Sequence, residues 1–176
     1  MPMPEYVRML KITAIFSLLM SLTTLPGMAA DAWVTDAKQA KELAAENNTL
    51  ILIRFTNSSL GGWCEKLEAL TNDPVFNTFA EKHLTRLLVD LPTDATVPED
   101  IAAVQKKMIT DYKVRHIPTL VVTDAKGSYI LQTHYKPIPA VEFVKDLKRQ
   151  IEKATGTRSF DGQTGNSASI VVSPRV

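Results

Sequence analysis

The chain has one cysteine, Cys64, in 176 residues, so a single copy cannot make an internal disulfide. Charge of one sign is also lacking. Twenty basic and 19 acidic residues leave a net charge of +1, which gives no overall field for nucleic acid or an acidic surface. There are no internal repeats, Gly-rich phosphate loops, metal-ligand clusters or paired carboxylates at a candidate site, so no metal or other cofactor is implied. The longest apolar run, "ITAIFSLLMSLTTL", falls short of the ~20 residues that span a bilayer and is broken by "TTLPG". At this length one domain with a hydrophobic core is expected, together with short extra segments.

The first thirty residues form one such segment. Arg8 and Lys11 precede the apolar run, and Pro26, Gly27 and "GMAA" follow it, which is the order of a secretory signal peptide cleaved after Ala29 or Ala30. Losing Glu5, Arg8 and Lys11 with it leaves 18 residues of each sign. The expected location is periplasmic or secreted, with no membrane span after cleavage. In an oxidising compartment a leftover thiol pairs with another molecule, is shielded, or is reactive for a purpose.

Periodicity organises the rest. Thr35 or Asp36 caps a helix carrying Ala37, Ala40, Leu43 and Ala44 and ending at Asn47-Asn48. "TLILIRF", 49–55, is a continuous apolar, β-branched run, the pattern of a strand covered on both faces. "GWCEKLEAL" and "DPVFNTFAEKH" have helical spacing, with Asp73 as cap and Pro74 in the first turn. A second buried strand follows at 84–91. After the polar loop "PTDATVPED", a helix aligns Ile101, Val104, Met108 and Tyr112 on one face. "PTLVVTD" and "SYILQTHY", joined by "AKG", read as a hairpin, and an amphipathic helix from about 139 to 154 closes the domain. Residues 156–176, rich in Gly, Ser, Thr and Asn, read as a disordered tail in which "SIVV" could add a short strand. The expected class is α/β, with a central mixed sheet flanked by helices on both faces, over residues 31–155.

The pieces "LILIRFTNSS", "GGWCEKLEAL", "FAEKHLTRLLVDLP" and "DYKVRHIPTLVVTDAKG", in that order, resemble the exported thioredoxin-like branch of the thioredoxin-fold superfamily. The resemblance covers residues 33 to about 155. It implies a Trp-flanked Cys-x-x-Cys at a helix start, where the first cysteine is ionised by the helix N-terminus and the second resolves mixed disulfides. Members place these cysteines six and nine residues after a strand-ending Phe. Counted from Phe55, those positions are Gly61 and Cys64, so the nucleophile is missing and Cys64 is the resolving half, packed one turn inside the helix. In the rival register Cys64 is the first cysteine, exposed and activated, and Leu67 replaces the second. Neither register supports a dithiol–disulfide cycle within the domain.

The resemblance also implies that Pro118 is cis and that Ile117 offers its backbone to an extended peptide. Gly61, Gly62, Trp63, Ile117 and Pro118 thus form a candidate binding groove for a peptide or protein partner, with Cys64 its one thiol. Arg54 stands where relatives hold a buried acid. It cannot act as a base, and it is read as reaching the surface from a strand end. Trp63 reads as packing. His116 with Cys64 makes no metal site, and His83 and His134 default to surface or strand positions. Asn47 and Asn57 begin sequons, which matter only in a glycosylating pathway.

The leading expectation is an exported binding or accessory protein that has lost its redox nucleophile. The competing one is a redox protein acting through the single thiol of Cys64, by mixed disulfides or as a disulfide-linked homodimer. A structural subunit in assembly of an envelope protein is a third, resting on fold analogy alone.

Overall fold

Strand β1 (Leu50–Thr56) is buried along its whole length, and the fold is built outward from it. The structure, a computed structural model, describes residues 33–94, 96–156 and 160. Its further elements are α1 (Ala37–Asn47), α2 (Trp63–Thr71), α3 (Pro74–His83), β2 (Leu84–Asp90), α4 (Glu99–Asp111), β3 (Thr119–Thr123), β4 (Tyr129–Thr133) and α5 (Ala140–Thr155). The sheet order is β2-β1-β3-β4. β1 pairs parallel with β2 and antiparallel with β3, and β3 pairs antiparallel with β4. This is the expected mixed sheet. Val34 extends it at the β2 edge, bridging to Leu87.

Alternation along β1 sends Leu50 and Leu52 to one face and Ile51, Ile53 and Phe55 to the other. The first pair joins a core with Leu67 and Leu70 of α2, Phe76 and Phe79 of α3, and Phe143, Leu147 and Ile151 of α5. The second set joins Ala40 and Ala44 of α1, Leu87, Val89 and Val121, with Met108 of α4 and Tyr112 at its C-cap packed at the margin. A strand covered on both faces needs the continuous apolar run that its sequence shows.

Local chemistry sets the helix boundaries. Asp36, rather than Thr35, caps α1 by accepting from the N–H groups of Lys38 and Gln39, and these bonds hold its carboxyl below the usual carboxylate range. Asp73 accepts from Val75 N–H at the start of α3, beside Pro74. Asp124 accepts from Lys126 and Ser128, closing the β3–β4 turn with Gly127 at φ +90°.

Two expectations are corrected here. Ile101 and Val104 are about half exposed, and α4 buries no residue fully; its apolar contact with the core comes from Met108 and Ile109, followed by Tyr112 at its C-cap. Arg54 is 4% exposed rather than at the surface. Its guanidinium lies 4.3 Å from the centre of the Trp33 ring, Nη1 donates to Thr71 Oγ1 at 2.7 Å, and Nη2 is 3.8 Å from Glu68. Burial pulls its pKa below the ordinary arginine value, with Glu68 and Asp90 opposing; the group stays charged.

Most of the tail, like the signal segment, lies outside the described residues. Within the segment expected to be a disordered tail, Phe160 is buried against Phe79, and its N–H donates to Glu152.

Phe143→Ala should destabilise the protein by about 3–5 kcal/mol, whereas Val104→Ala should change stability by less than about 0.5 kcal/mol, both read from chemical denaturation midpoints. Comparable losses for the two would contradict the packing of α4.

Candidate functional site

β1 ends at Thr56, and the chain turns through residues 57–62 into α2. Three contacts fix this loop to the end of β2 and the segment after it: Ser58 N–H donates to Asp90 at 2.8 Å, Ser59 Oγ bonds Asp94, and Thr93 N–H donates to Ser59 Oγ at 3.1 Å. Asn57 is buried and accepts from Ser59 N–H, which withdraws its sequon from solvent. Because Phe55 pairs with Thr119, the turn before β3 lies beside the end of β1. Ile117–Pro118 is cis. Ile117 is exposed and Pro118 buried.

Gly62 caps α2 at φ +69°, so Trp63 is the first helical residue and Cys64 the second. Cys64 is therefore at the helix start rather than one turn in. It is nonetheless only 6% exposed, its side chain on the inner face of α2 with Leu67 and Leu70. Gly61, three residues before it, is exposed and has no side chain. A Cβ there would lie 3.3 Å from Glu65 Oε1, tighter than ordinary contact.

Glu65 is the residue that sequence reasoning missed. Its carboxylate accepts from Gly62 N–H at 3.3 Å, half of a capping box whose other half is absent because Gly62 has no side chain. A negative charge thus sits at the helix start, beside Gly61. The spacing Gly62-x-x-Glu65 was the available signal.

The aromatic surroundings also differ from expectation. Trp63 is 59% exposed rather than packed inside. Its ring centre is 5.5 Å from that of Tyr135, and Lys66 Nζ lies 4.6 Å over it. Lys136 bonds Asp146 of α5, tying the Tyr135 segment to that helix. Thr119 Oγ1 donates to the His116 carbonyl, leaving its oxygen to accept from His134 Nδ1 at 3.1 Å. That partner was not foreseen for His134. His83 packs against the rings of Phe79 and Phe160, away from the site. Among the described residues there is no group of three metal-binding side chains and no helix long and apolar enough to cross a membrane.

The strand order, the helices on both faces, the cis proline before β3 and the single cysteine at a helix start together make a thioredoxin-like fold. In sequence it is similar to the disulfide bond reductase DsbH of Chlamydia pneumoniae, 27% identical over 130 residues, covering 73% of this chain and 78% of that one. The solved structure of a DsbH oxidoreductase matches at TM-score 0.63 and 24% identity, over 79% of this chain and 98% of the other. A thioredoxin from Thermus thermophilus matches at 0.53 and 15%, over 77% and 99%. No protein-family model matches the chain.

Two variants test the role of Glu65. Gly61→Cys should place a thiol against the Glu65 carboxylate, and that thiol should titrate at higher pH than in Gly61→Cys/Glu65→Gln, since a neighbouring negative charge disfavours a thiolate. Absorbance of the thiolate against pH reads both. Identical titrations would remove Glu65 from the account. Asp146 supplies a pH test. Its bonds to Lys136, then the charges of Lys136 and Arg149, hold its carboxyl below the usual range. A depressed carboxyl contributes stability above its unfolded value, near 4, and that contribution is lost as pH falls through the folded value. Asp146→Asn should therefore flatten the stability–pH curve in that acid range, measured by thermal unfolding.

Proposed function

We propose that this protein is an exported thioredoxin-fold binding or accessory protein of the cell envelope, periplasmic or secreted, which engages an extended segment of a partner without a dithiol cycle. One observation carries the reading: Gly61 stands three residues before a buried Cys64, with the Glu65 carboxylate at the helix start. A two-electron exchange needs two thiols on one helix turn. Here one thiol is present and shielded, and the helix N-terminus that would favour a thiolate is engaged by a carboxylate.

The binding surface proposed here draws on exposed apolar side chains. Leu60, Trp63 and Ile117 are exposed apolar side chains on the loop, the helix start and the cis-proline turn. Ile117, just before β3, offers backbone groups to an incoming strand, and Trp63 on Tyr135 offers a flat apolar surface with a polar edge. The likeness to DsbH supports an ancestry among disulfide reductases, and the sequence of the first thirty residues supports export. The single-thiol reading draws support from Cys64 being the second residue of α2, and its burial counts against it.

The purified protein should not reduce insulin disulfides with dithiothreitol as electron source. It should bind an unfolded extended polypeptide, such as reduced carboxymethylated lactalbumin, with affinity lowered about tenfold by Trp63→Ala and unchanged by Cys64→Ser. Native Cys64 should alkylate about 100-fold more slowly than in the unfolded chain, because reaction requires local opening. Insulin reduction that Cys64→Ser abolishes would overturn the proposal in favour of the single-thiol reading.

A further inference from the structure

A second surface, on the α3–α5 face, is graded in polarity along its length. Helix α3 presents Val75, Phe79 and Lys82 at intervals of four and three residues, and α5 presents Val141, Val144 and Lys148 at the matching intervals of three and four. The helices run in the same direction. Phe76 meets Phe143 near their starts, at 6.3 Å between ring centres; Lys148 lies 5.4 Å over Phe79; and His83 meets Phe160, which is bonded to Glu152, near their ends. The two aliphatic residues therefore share one end of the groove and the lysines, Lys145 included, the other. Val75 and Val141 are 46% and 60% exposed, and the cavity measures about 510 Å³. None of the described residues lining it is acidic. Of the α5 carboxylates, Glu152 accepts from Phe160 N–H and Asp146 is bonded to Lys136 and Arg149, while Glu142 stands in the first turn, three residues before Lys145.

Phe160 shows what this groove accepts. Its ring meets those of Phe79 and His83 edge to face at 5.7 and 5.0 Å, and its backbone N–H is held by Glu152 at 2.7 Å. The groove thus already seats one residue of a chain by side chain and backbone together. We propose that the α3–α5 groove is a docking surface for a short acidic peptide segment of a partner protein, with an aliphatic residue over Val75 and Val141 and carboxylates against Lys82 and Lys145. Charge complementarity selects the acid. The length selects a peptide over an acyl chain: Val75 to Lys82 spans only about 10 Å of helix, and Phe160 closes the far end. The surface is separate from the Trp63 groove and stands without the function proposed above.

The full chain, with its valine methyls labelled for NMR, is titrated to about 1 mM with a twelve-residue peptide of alternating Glu and Leu, and with its Lys-for-Glu counterpart. Saturable shifts at Val75 and Val141 are expected for the acidic peptide only. Lys82→Glu/Lys145→Glu, two exposed positions, should weaken that binding about tenfold or more and admit the basic peptide, whereas Trp63→Ala should leave it unchanged. No saturable shift at these valines, equal binding of both peptides, or shifts with phosphatidylglycerol vesicles but not with the peptide would overturn the proposal, the last in favour of a lipid surface.

Discussion

Covering β1 on both faces is the constraint from which the rest of the structure follows. Six of its seven positions meet this with apolar or neutral side chains, but Arg54 brings a positive charge into the layer beneath α2. A buried charge needs partners. Trp33 supplies a ring face, Thr71 an acceptor and Glu68 a counter-charge at the rim. Thr71 in turn donates to the Leu67 carbonyl, so the guanidinium is linked to the backbone of the helix that carries Cys64. The chain before α1, the central strand and the site helix are joined through this one side chain. An acid there would serve thiol chemistry. An arginine makes the position a structural clamp.

Most of the fold was legible because its signals are local. The uninterrupted apolar run of β1 announced two-sided cover, Asp36 and Asp73 announced helix starts, and Asp124 to Ser128 announced a tight turn. What failed was what depends on a partner distant in sequence. The stripe of α4 gave the correct face for Met108 and Tyr112, but periodicity says nothing about whether a helix lies flat along its length, and Ile101 and Val104 stand clear. Arg54 was read as reaching water because nothing in "LIRF" reveals that Trp33, 21 residues earlier, would cover it.

The site divided in the same way. Counting from Phe55 puts Gly61 at the helix start and Cys64 one turn in, whereas Gly61 lies on the loop before the cap and Cys64 is the second residue of α2. Burial of Cys64 and exposure of Trp63 are outcomes of how α2 rolls on the sheet, and adjacent helix positions exchange inside for outside with a turn of about 100°. Tyr135 as the neighbour of Trp63 depends on where β4 ends, which no pattern in the sequence states.

The carboxylate of Glu65 has a consequence for any second thiol built into this helix start. A cysteine introduced at position 61 would stand three residues before Cys64, the spacing of a dithiol pair, yet it would meet a close neighbour and a like charge in Glu65, which accepts from the Gly62 N–H. Such a change alone would supply the pair of sulfurs with a carboxylate set against ionisation of the first, so a reactive pair at this corner would call for a change at position 65 as well.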